Sequence, residues 1–181
     1  MNPSLSVSVI RNHVKKGVEK SVELRLPPQV VDIIREHHGN QVLRGFYSKA
    51  KESDPDAKPE DYSYFGNPPT TRESGIVMLA DTVEAACRSL DNPSASRIEK
   101  FTQELINNKI NENQLQNCPL TFRDLALIKE TFVQILTSFH HSRVKYPDQK
   151  DPDADSNKSN EAVLGDKTIE KAKNEGMESG K

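Results

Sequence analysis

The chain has 181 residues, of which 34% are hydrophobic and 29% charged, and its formal net charge is −2. This length predicts one domain of ordinary size with additional polar sequence, and the near-neutral charge excludes a whole-chain basic field of the kind that binds DNA. The longest apolar run, residues 76–80, is far shorter than the ~20 residues of a membrane span, so a cytoplasmic domain is expected.

Helical periodicity recurs along the first 146 residues and predicts an all-α fold of about six helices. The first helix spans about residues 4–24, and Gly17 inside it indicates close packing. Its apolar stripe repeats every four residues at Ile10, Val14, Val18 and Val22. The second helix spans about residues 28–38, with Gly39 as its terminator, and the third about residues 41–51.

A loop rich in Pro, Asp and Tyr follows at residues 53–70, and loops of this length are often functional. The fourth helix, residues 72–90, is apolar on every side at 75–80, which predicts a central buried element. A capping box of Ser96 and Glu99 begins the fifth helix. The sixth, residues 122–141, is capped by Thr121 and carries an apolar face at Leu125, Ile128, Phe132, Ile135 and Phe139.

The composition changes abruptly after Tyr146 and Pro147. Among Leu, Ile, Val and Phe, the last 35 residues contain only Val163, Leu164 and Ile169. Such a segment cannot bury enough apolar area to offset the entropy of ordering. We therefore predict a helical domain over residues 1–147 and a disordered polar tail over 148–181.

Three histidines and one aspartate from separate helices are the candidates for chemistry: His13, His37, His38 and Asp81. His13 lies at the edge of the first apolar stripe, and His37 continues the apolar face of the second helix. Asp81 follows the most apolar stretch, where an isolated carboxylate is costly unless it is paired or bound to metal. Three imidazoles and a carboxylate aimed at one core suit a divalent Mn, Fe or Zn ion.

Each candidate also has a purely structural interpretation. His37 can be a hydrogen-bonded core residue and His13 an edge residue, while Asp81 can pair with Arg88 two turns along its helix. Adjacent histidines in mid-helix point ~100° apart, so His37 and His38 share a site only if the helix ends there. Interaction with the helix C-terminus is the other interpretation for His38.

Other classes of site find less support. The chain has no Gly-rich phosphate loop and no G-x-S-x-G motif. Cys87 and Cys118 have no zinc-binding spacing and are expected to be buried free thiols. A second pair, His140-His141, ends the last helix, where a structural role is expected. Lys15, Lys16, Lys49 and Lys51 most simply lie on solvated helix faces, and the alternative is that some line a groove for a negatively charged nucleotide.

Five motifs together resemble a known family. They are N-H-V-K-K-G-V-E at 12–19, L-P-P through I-I-R-E-H-H-G at 26–39, F-Y-S-K-A at 46–50, I-V-M-L-A-D-T-V-E-A-A at 76–86 and H-S-R-V-K-Y-P at 141–147. In this order they resemble the C-terminal half of the cytosolic HD domain of seven-transmembrane HD phosphohydrolases, the cyclic-di-AMP phosphodiesterases. The resemblance covers residues 2–147 and implies a partial HD-domain helical bundle.

The resemblance also implies a function. It matches His13, His37, His38 and Asp81 to ligands of a centre of two divalent ions, Mn or Fe, which hydrolyses a cyclic dinucleotide to the linear form. No catalytic residue beyond the metal ligands is implied. The loop before Arg72 would border the nucleotide, and the domain would lie on the cytoplasmic side of the inner membrane.

One departure from the family pattern is large. The family carries an upstream His and then a His-Asp pair, and this sequence contains no His-Asp dipeptide. We therefore expect the chain alone to be inactive. Besides the cyclic dinucleotide, the expected partner is the missing upstream half of the domain. The alternative is a non-catalytic helical module that binds a nucleotide or a protein.

Overall fold

The fold is all-α, as the periodicity predicts. The computed structural model describes residues 3–91 and 93–142, with the backbone alone at 141 and 142. Its six helices are α1 (Pro3–Glu23), α2 (Pro28–Glu36), α3 (Arg44–Ser53), α4 (Arg72–Arg88), α5 (Ala95–Asn111) and α6 (Phe122–Ser142), with a 3-10 helix at Pro59–Tyr62. Within these ranges the only β-type pairing is one isolated antiparallel bridge, Val42–Ser63. The predicted domain end at residue 147 and the tail at 148–181 lie outside the described residues.

The helices pack around two apolar clusters. Helix α1 contacts α2 and α3, while α4 contacts α2, α5 and α6, and α5 contacts α6. The first cluster joins α1, α3 and the loop after α3 through Val7, Ala50, Ala57 and Tyr62. The second joins α4, α5 and α6 through Leu79, Ile106 and Ile128. Helices α2 and α4 bring the two halves together, and the candidate residues lie on or beside these helices and α1.

Two predicted helix starts are wrong. Helix α3 begins at Arg44 instead of residue 41, because the preceding segment pairs with the long loop: Leu43 N donates to Tyr62 O at 2.8 Å and Tyr64 N to Gln41 O at 3.0 Å. Helix α5 is capped by Ser94, whose Oγ accepts from Arg97 N at 3.2 Å. The predicted Ser96 capping box is therefore not the start of α5. By contrast, Thr121 caps α6 as predicted, its Oγ1 accepting from Asp124 N at 3.1 Å.

Several predicted core positions face solvent. Val22 on α1, Ile76 and Val77 on α4, and Ile135 and Phe139 on α6 are all exposed. Periodicity identifies apolar positions, but burial also requires a neighbouring element, and the described residues supply none for these faces. Helix α4 is consequently buried along one side, at Met78, Leu79, Val83 and Cys87, and open along the other.

Two glycines position α2. A Cβ at Gly17 would lie 3.0 Å from Ile34 Cγ2, so the close packing expected at this glycine is found, and the structure shows that α2 is the partner. Gly39 has φ +55°, the left-handed conformation typical of a residue that ends a helix. Cys87 and Cys118 are free and buried, as expected. Within the described part of the chain, no helix combines the length and apolarity that crossing a membrane requires.

Candidate metal centre

Three predicted site residues come together between α1 and the end of α2. One ring nitrogen of each of His13, His37 and His38 lies within 4.8 Å of the others. The ring centroids of His37 and His38 are 4.0 Å apart, and those of His13 and His38 are 4.9 Å apart. Residues separated by 25 positions in sequence thus form one imidazole cluster.

The end of α2 explains how adjacent histidines share one site. The helix stops at Glu36, His37 is its C-cap residue, and Gly39 N donates to Glu36 O at 2.8 Å in the turn that follows. Had the helix continued, the two imidazoles would point ~100° apart. The chain leaves α geometry after His37 and has a positive φ at Gly39, and at this helix end both rings lie beside His13.

Backbone carbonyls fix the tautomers of two imidazoles. His13 Nδ1 lies 2.5 Å from Ile10 O, and His37 Nδ1 lies 2.9 Å from Ile34 O. A carbonyl oxygen only accepts, so in each ring Nδ1 carries the proton and Nε2 of the neutral ring carries the lone pair. This arrangement orients metal-binding histidines in many proteins. The same hydrogen bonds are also compatible with the structural interpretations, in which His13 is an edge residue and His37 is a hydrogen-bonded core residue.

Asp81 lies beside the cluster, although not for the reason inferred from the sequence. Its Oδ2 is 3.6 Å from His38 Nδ1, and its side chain is 44% exposed. The argument from burial in an apolar helix is therefore wrong, because α4 is open to solvent along this side. Arg88, the alternative partner of Asp81, instead contacts Glu84 at 2.5 Å. The carboxylate is left facing the imidazoles.

The electrostatic environment keeps the central imidazole neutral. Burial, with smaller contributions from His37, His13 and Lys109, lowers the pKa of His38 to about 3. A neutral imidazole is the form that binds a metal ion. The donor set of three imidazoles and one carboxylate fits a divalent transition metal, so the residues present suit the type of ion that the sequence predicts.

Two residues near the cluster are absent from the sequence-based candidates. The Tyr64 ring stacks on the His38 ring, with centroids 4.3 Å apart and planes 20° apart. Burial, followed by the charge of Asp81, raises the pKa of Tyr64 to about 12, so the phenol stays protonated. Lys109 of α5 is buried and donates to Gln41 Oε1. The aromatic composition of the long loop is a signal that could have identified Tyr64, whereas nothing in the pattern of α5 identifies Lys109.

A basic cleft of about 360 Å³ adjoins the cluster. His38 and Tyr64 form one wall, and Arg11, Lys15 and Arg35 contribute positive charge. No carboxylate lines this cleft among the described residues. Lys15, which the sequence indicates as part of a solvated face, therefore also borders a concave surface suited to an anion.

His140 of the second histidine pair is not part of the metal-compatible cluster among the described residues. His140 lies in the last turn of α6, and the described metal-compatible group contains only His13, His37 and His38. The side chain of His141 lies outside the described residues. The structural role predicted for this pair stays a prediction.

Comparison with known proteins reveals close relatives. The HD domain family model matches residues 3–86. The chain is 36% identical to cyclic-di-AMP phosphodiesterase PgpH of Listeria monocytogenes over 151 residues and 38% identical to PgpH of Bacillus subtilis over 148 residues. These alignments cover 83% and 82% of this chain but only 21% of each relative.

The fold is also shared with a solved structure. The crystal structure of the L. monocytogenes PgpH HD domain in complex with cyclic-di-AMP superposes with a TM-score of 0.76 at 35% identity. The superposition covers 81% of this chain and 68% of that domain. Sequence and fold thus agree on the same relatives, and the chain belongs to the HD domain family.

Proposed function

We propose that this chain supplies His13, His37, His38 and Asp81 to a divalent-metal centre that hydrolyses a cyclic dinucleotide of the cyclic-di-AMP type. The observation that carries the proposal is the imidazole cluster, whose donor atoms lie within 4.8 Å of one another beside a carboxylate. It occurs in a chain whose HD-domain relatives are cyclic-di-AMP phosphodiesterases. The related domain in the solved complex holds cyclic-di-AMP.

Within this proposal the residues divide the work. Nε2 of His13 and Nε2 of His37 are available to an ion, because their Nδ1 atoms donate to backbone carbonyls. His38 is held between His13 and Asp81, and Tyr64 covers its ring. Bound divalent ions, Mn or Fe, would supply Lewis-acid activation of the phosphodiester and of water near neutral pH. Arg11, Lys15 and Arg35 would attract the anionic substrate to the adjoining cleft.

The chain by itself is proposed to be inactive. One carboxylate and three imidazoles supply four protein ligands. Two Mn or Fe ions often take six ligands each, so further side chains, some of them bridging, are needed to hold both ions. The sequence has no His-Asp dipeptide to provide the further ligands of the family pattern. The remaining donors are proposed to come from the upstream half of an HD domain. The domain assignment of residues 1–147 is part of the same proposal.

The test is metal analysis combined with cyclic-di-AMP turnover. The purified chain is loaded with Mn²⁺ or Fe²⁺ and assayed alone and after mixing with the upstream half of a related HD domain. We expect turnover only in the mixture, and its loss in His13→Ala and His37→Ala variants but not in His140→Ala. Turnover by the chain alone would refute its proposed inactivity, and failure of the mixture to bind metal would refute the ligand assignment. Metal-dependent nucleotide binding without turnover in the mixture would favour the non-catalytic alternative.

A further inference from the structure

Phe65 is an exposed aromatic ring on the wall of the basic cleft. Its side chain is 79% exposed, although the preceding residue, Tyr64, is buried. Both residues line the cleft that also contains His38. A large apolar ring in solvent is common at a protein surface, but one on a concave wall beside a polar cluster resembles the ligand sites of proteins.

Arg11 holds the Phe65 ring in place. The guanidinium carbon lies 3.7 Å from the ring centroid, which is the geometry of a cation–π contact. The guanidinium is itself fixed, because its Nε donates to Ser63 O and its Nη2 donates to Glu60 O at 3.0 Å. One side of the ring is thus covered by a fixed cation, and the ring can accept a flat partner without first losing its freedom to move.

The backbone around Phe65 is anchored to the end of α2. A Cβ at Gly66 would lie 2.6 Å from Arg35 O and 2.7 Å from Gly39 O, so this approach is possible only for glycine. On the other side, Tyr64 stacks on His38 at 4.3 Å. The position of Phe65 is therefore fixed relative to the imidazole cluster from both directions along the chain.

We propose that Phe65, backed by Arg11, is a stacking surface for a purine base of the cyclic dinucleotide. This inference rests on the proposed function, since it assigns the phosphodiester to the imidazole cluster and one base to the adjoining cleft. Aromatic side chains bind bases through their faces, and every base has such a face, so stacking adds affinity with little selectivity between adenine and guanine. Lys15 and Arg35, which line the same cleft and make exposed ion pairs with Glu19 and Asp32, would bind phosphate or ribose oxygens.

The chain contains no tryptophan, which permits a direct optical test. In a Phe65→Trp variant the introduced indole is the sole tryptophan, and stacking of a purine on it quenches its emission. The matched control is Phe122→Trp, because Phe122 is equally exposed at 85% but does not line the cleft. The Mn²⁺-loaded proteins, each mixed with an upstream half that lacks tryptophan, are titrated with cyclic di-AMP and, as an anion without a base, with ribose 5-phosphate. Calorimetry of the unmodified protein measures binding independently.

The proposal expects quenching by cyclic di-AMP in Phe65→Trp alone, and none by ribose 5-phosphate in either variant. It also expects Phe65→Leu to raise the Kd for cyclic di-AMP roughly 5- to 100-fold while leaving that for ribose 5-phosphate unchanged. If calorimetry detects cyclic di-AMP binding but the indole is not quenched and Phe65→Leu binds normally, the stacking proposal is overturned and the proposed function stands. If no variant binds cyclic di-AMP in the presence of Mn²⁺ and the upstream half, both are overturned.

Discussion

His13 Nε2 and His38 Nε2 face each other at a distance of 3.1 Å. The Nδ1–H of His13 is committed to Ile10 O, so its Nε2 can only accept in the neutral ring. In the metal-free protein, His38 must therefore carry its proton on Nε2 and donate it to His13. A cation bound by both Nε2 atoms requires the other tautomer of His38, with the proton on Nδ1 facing Asp81 Oδ2 at 3.6 Å.

The first prediction is that metal binding reverses the tautomer of His38. Nitrogen-15 NMR of the imidazoles should show protonated Nε2 in chelator-treated protein and protonated Nδ1 after addition of Zn²⁺, a diamagnetic probe. Asp81→Ala removes both a proposed metal ligand and the carboxylate that faces Nδ1, so it should raise the metal Kd at least roughly 10- to 100-fold. Glu84→Ala, which removes a carboxylate three residues later on α4, is the control and should bind metal normally. An unchanged tautomer on metal binding would contradict the assignment of His38.

The second prediction concerns the turn that places both histidines. Gly39→Ala introduces a Cβ at φ +55° that would collide with Gln114 Oε1 and lie 3.1 Å from Met78 Cε. Backbone strain alone costs about 1–2 kcal/mol, and the contacts add to it. Denaturant unfolding should show that loss of stability, accompanied by weaker metal binding. Gly45→Ala is the matched control, since nothing lies within 4 Å of its added Cβ and alanine favours helix α3. Equal stability of the two variants would be inconsistent with the proposed role of Gly39.

The third prediction is a pH dependence of stability. The pKa of His38 is about 3 in the folded protein against an ordinary value of 6.5. Between these pH values the unfolded chain binds a proton at His38 that the folded protein does not. The contribution of neutral His38 to the unfolding free energy is therefore complete above pH 6.5 and decreases as the pH falls toward 3. His38→Gln removes this contribution. In metal-free protein, denaturant unfolding from about pH 6.5 to about pH 5, where most carboxylates stay ionised, should give a shallower decline for the variant. Parallel curves would contradict the lowered pKa.

The fourth prediction concerns the attachment of the long loop to α2. Both carboxylate oxygens of buried Glu36 accept from Thr70, from its N at 3.1 Å and its Oγ1 at 2.8 Å. Glu36→Gln should cost about 1–2 kcal/mol of unfolding free energy, because a neutral amide replaces a carboxylate in two hydrogen bonds and can accept from Thr70 N only by donating to Thr70 Oγ1. Thr70→Val should cost about 1 kcal/mol, and the double variant less than the sum.

Glu99→Gln provides the comparison for this pair. Glu99 contacts Lys129 at 3.4 Å in an exposed ion pair, so its substitution should change stability by less than ~1 kcal/mol. If Glu36→Gln has an effect as small as Glu99→Gln, the loop is not held by these two hydrogen bonds.

The sequence predicts the helices and the meeting of the three histidines because both depend on local signals. Thr121 indicates the start of α6, and Gly39 indicates the end of α2. The histidine pair directly before Gly39 therefore predicts a site that both imidazoles share. Prediction from the sequence fails where a helix boundary or the burial of a residue depends on partners far away in the chain. Helix α3 starts late because residues 41–43 pair with the loop, and Asp81 is exposed because no described element covers that side of α4.

The same limit explains the residues that were missed. Tyr64 reaches the cluster only because the loop pairs with Gln41 and approaches the backbone of Gly39 through Gly66. Lys109 comes from a helix without any motif and is buried through contacts made by Gln41 across the fold. Neither arrangement has a sequence period that could reveal it.

Gly66 fits tightly against two main-chain oxygens, and this contact divides the long loop into two halves that tolerate changes in length to different degrees. The half that carries Tyr64 and Phe65 admits no added or deleted residue without displacing the aromatic wall. Length differences among relatives should therefore occur at the turn of Asp54, Pro55 and Asp56, where all three residues are exposed. That turn is also the place to attach a tag or a dye without disturbing the imidazoles.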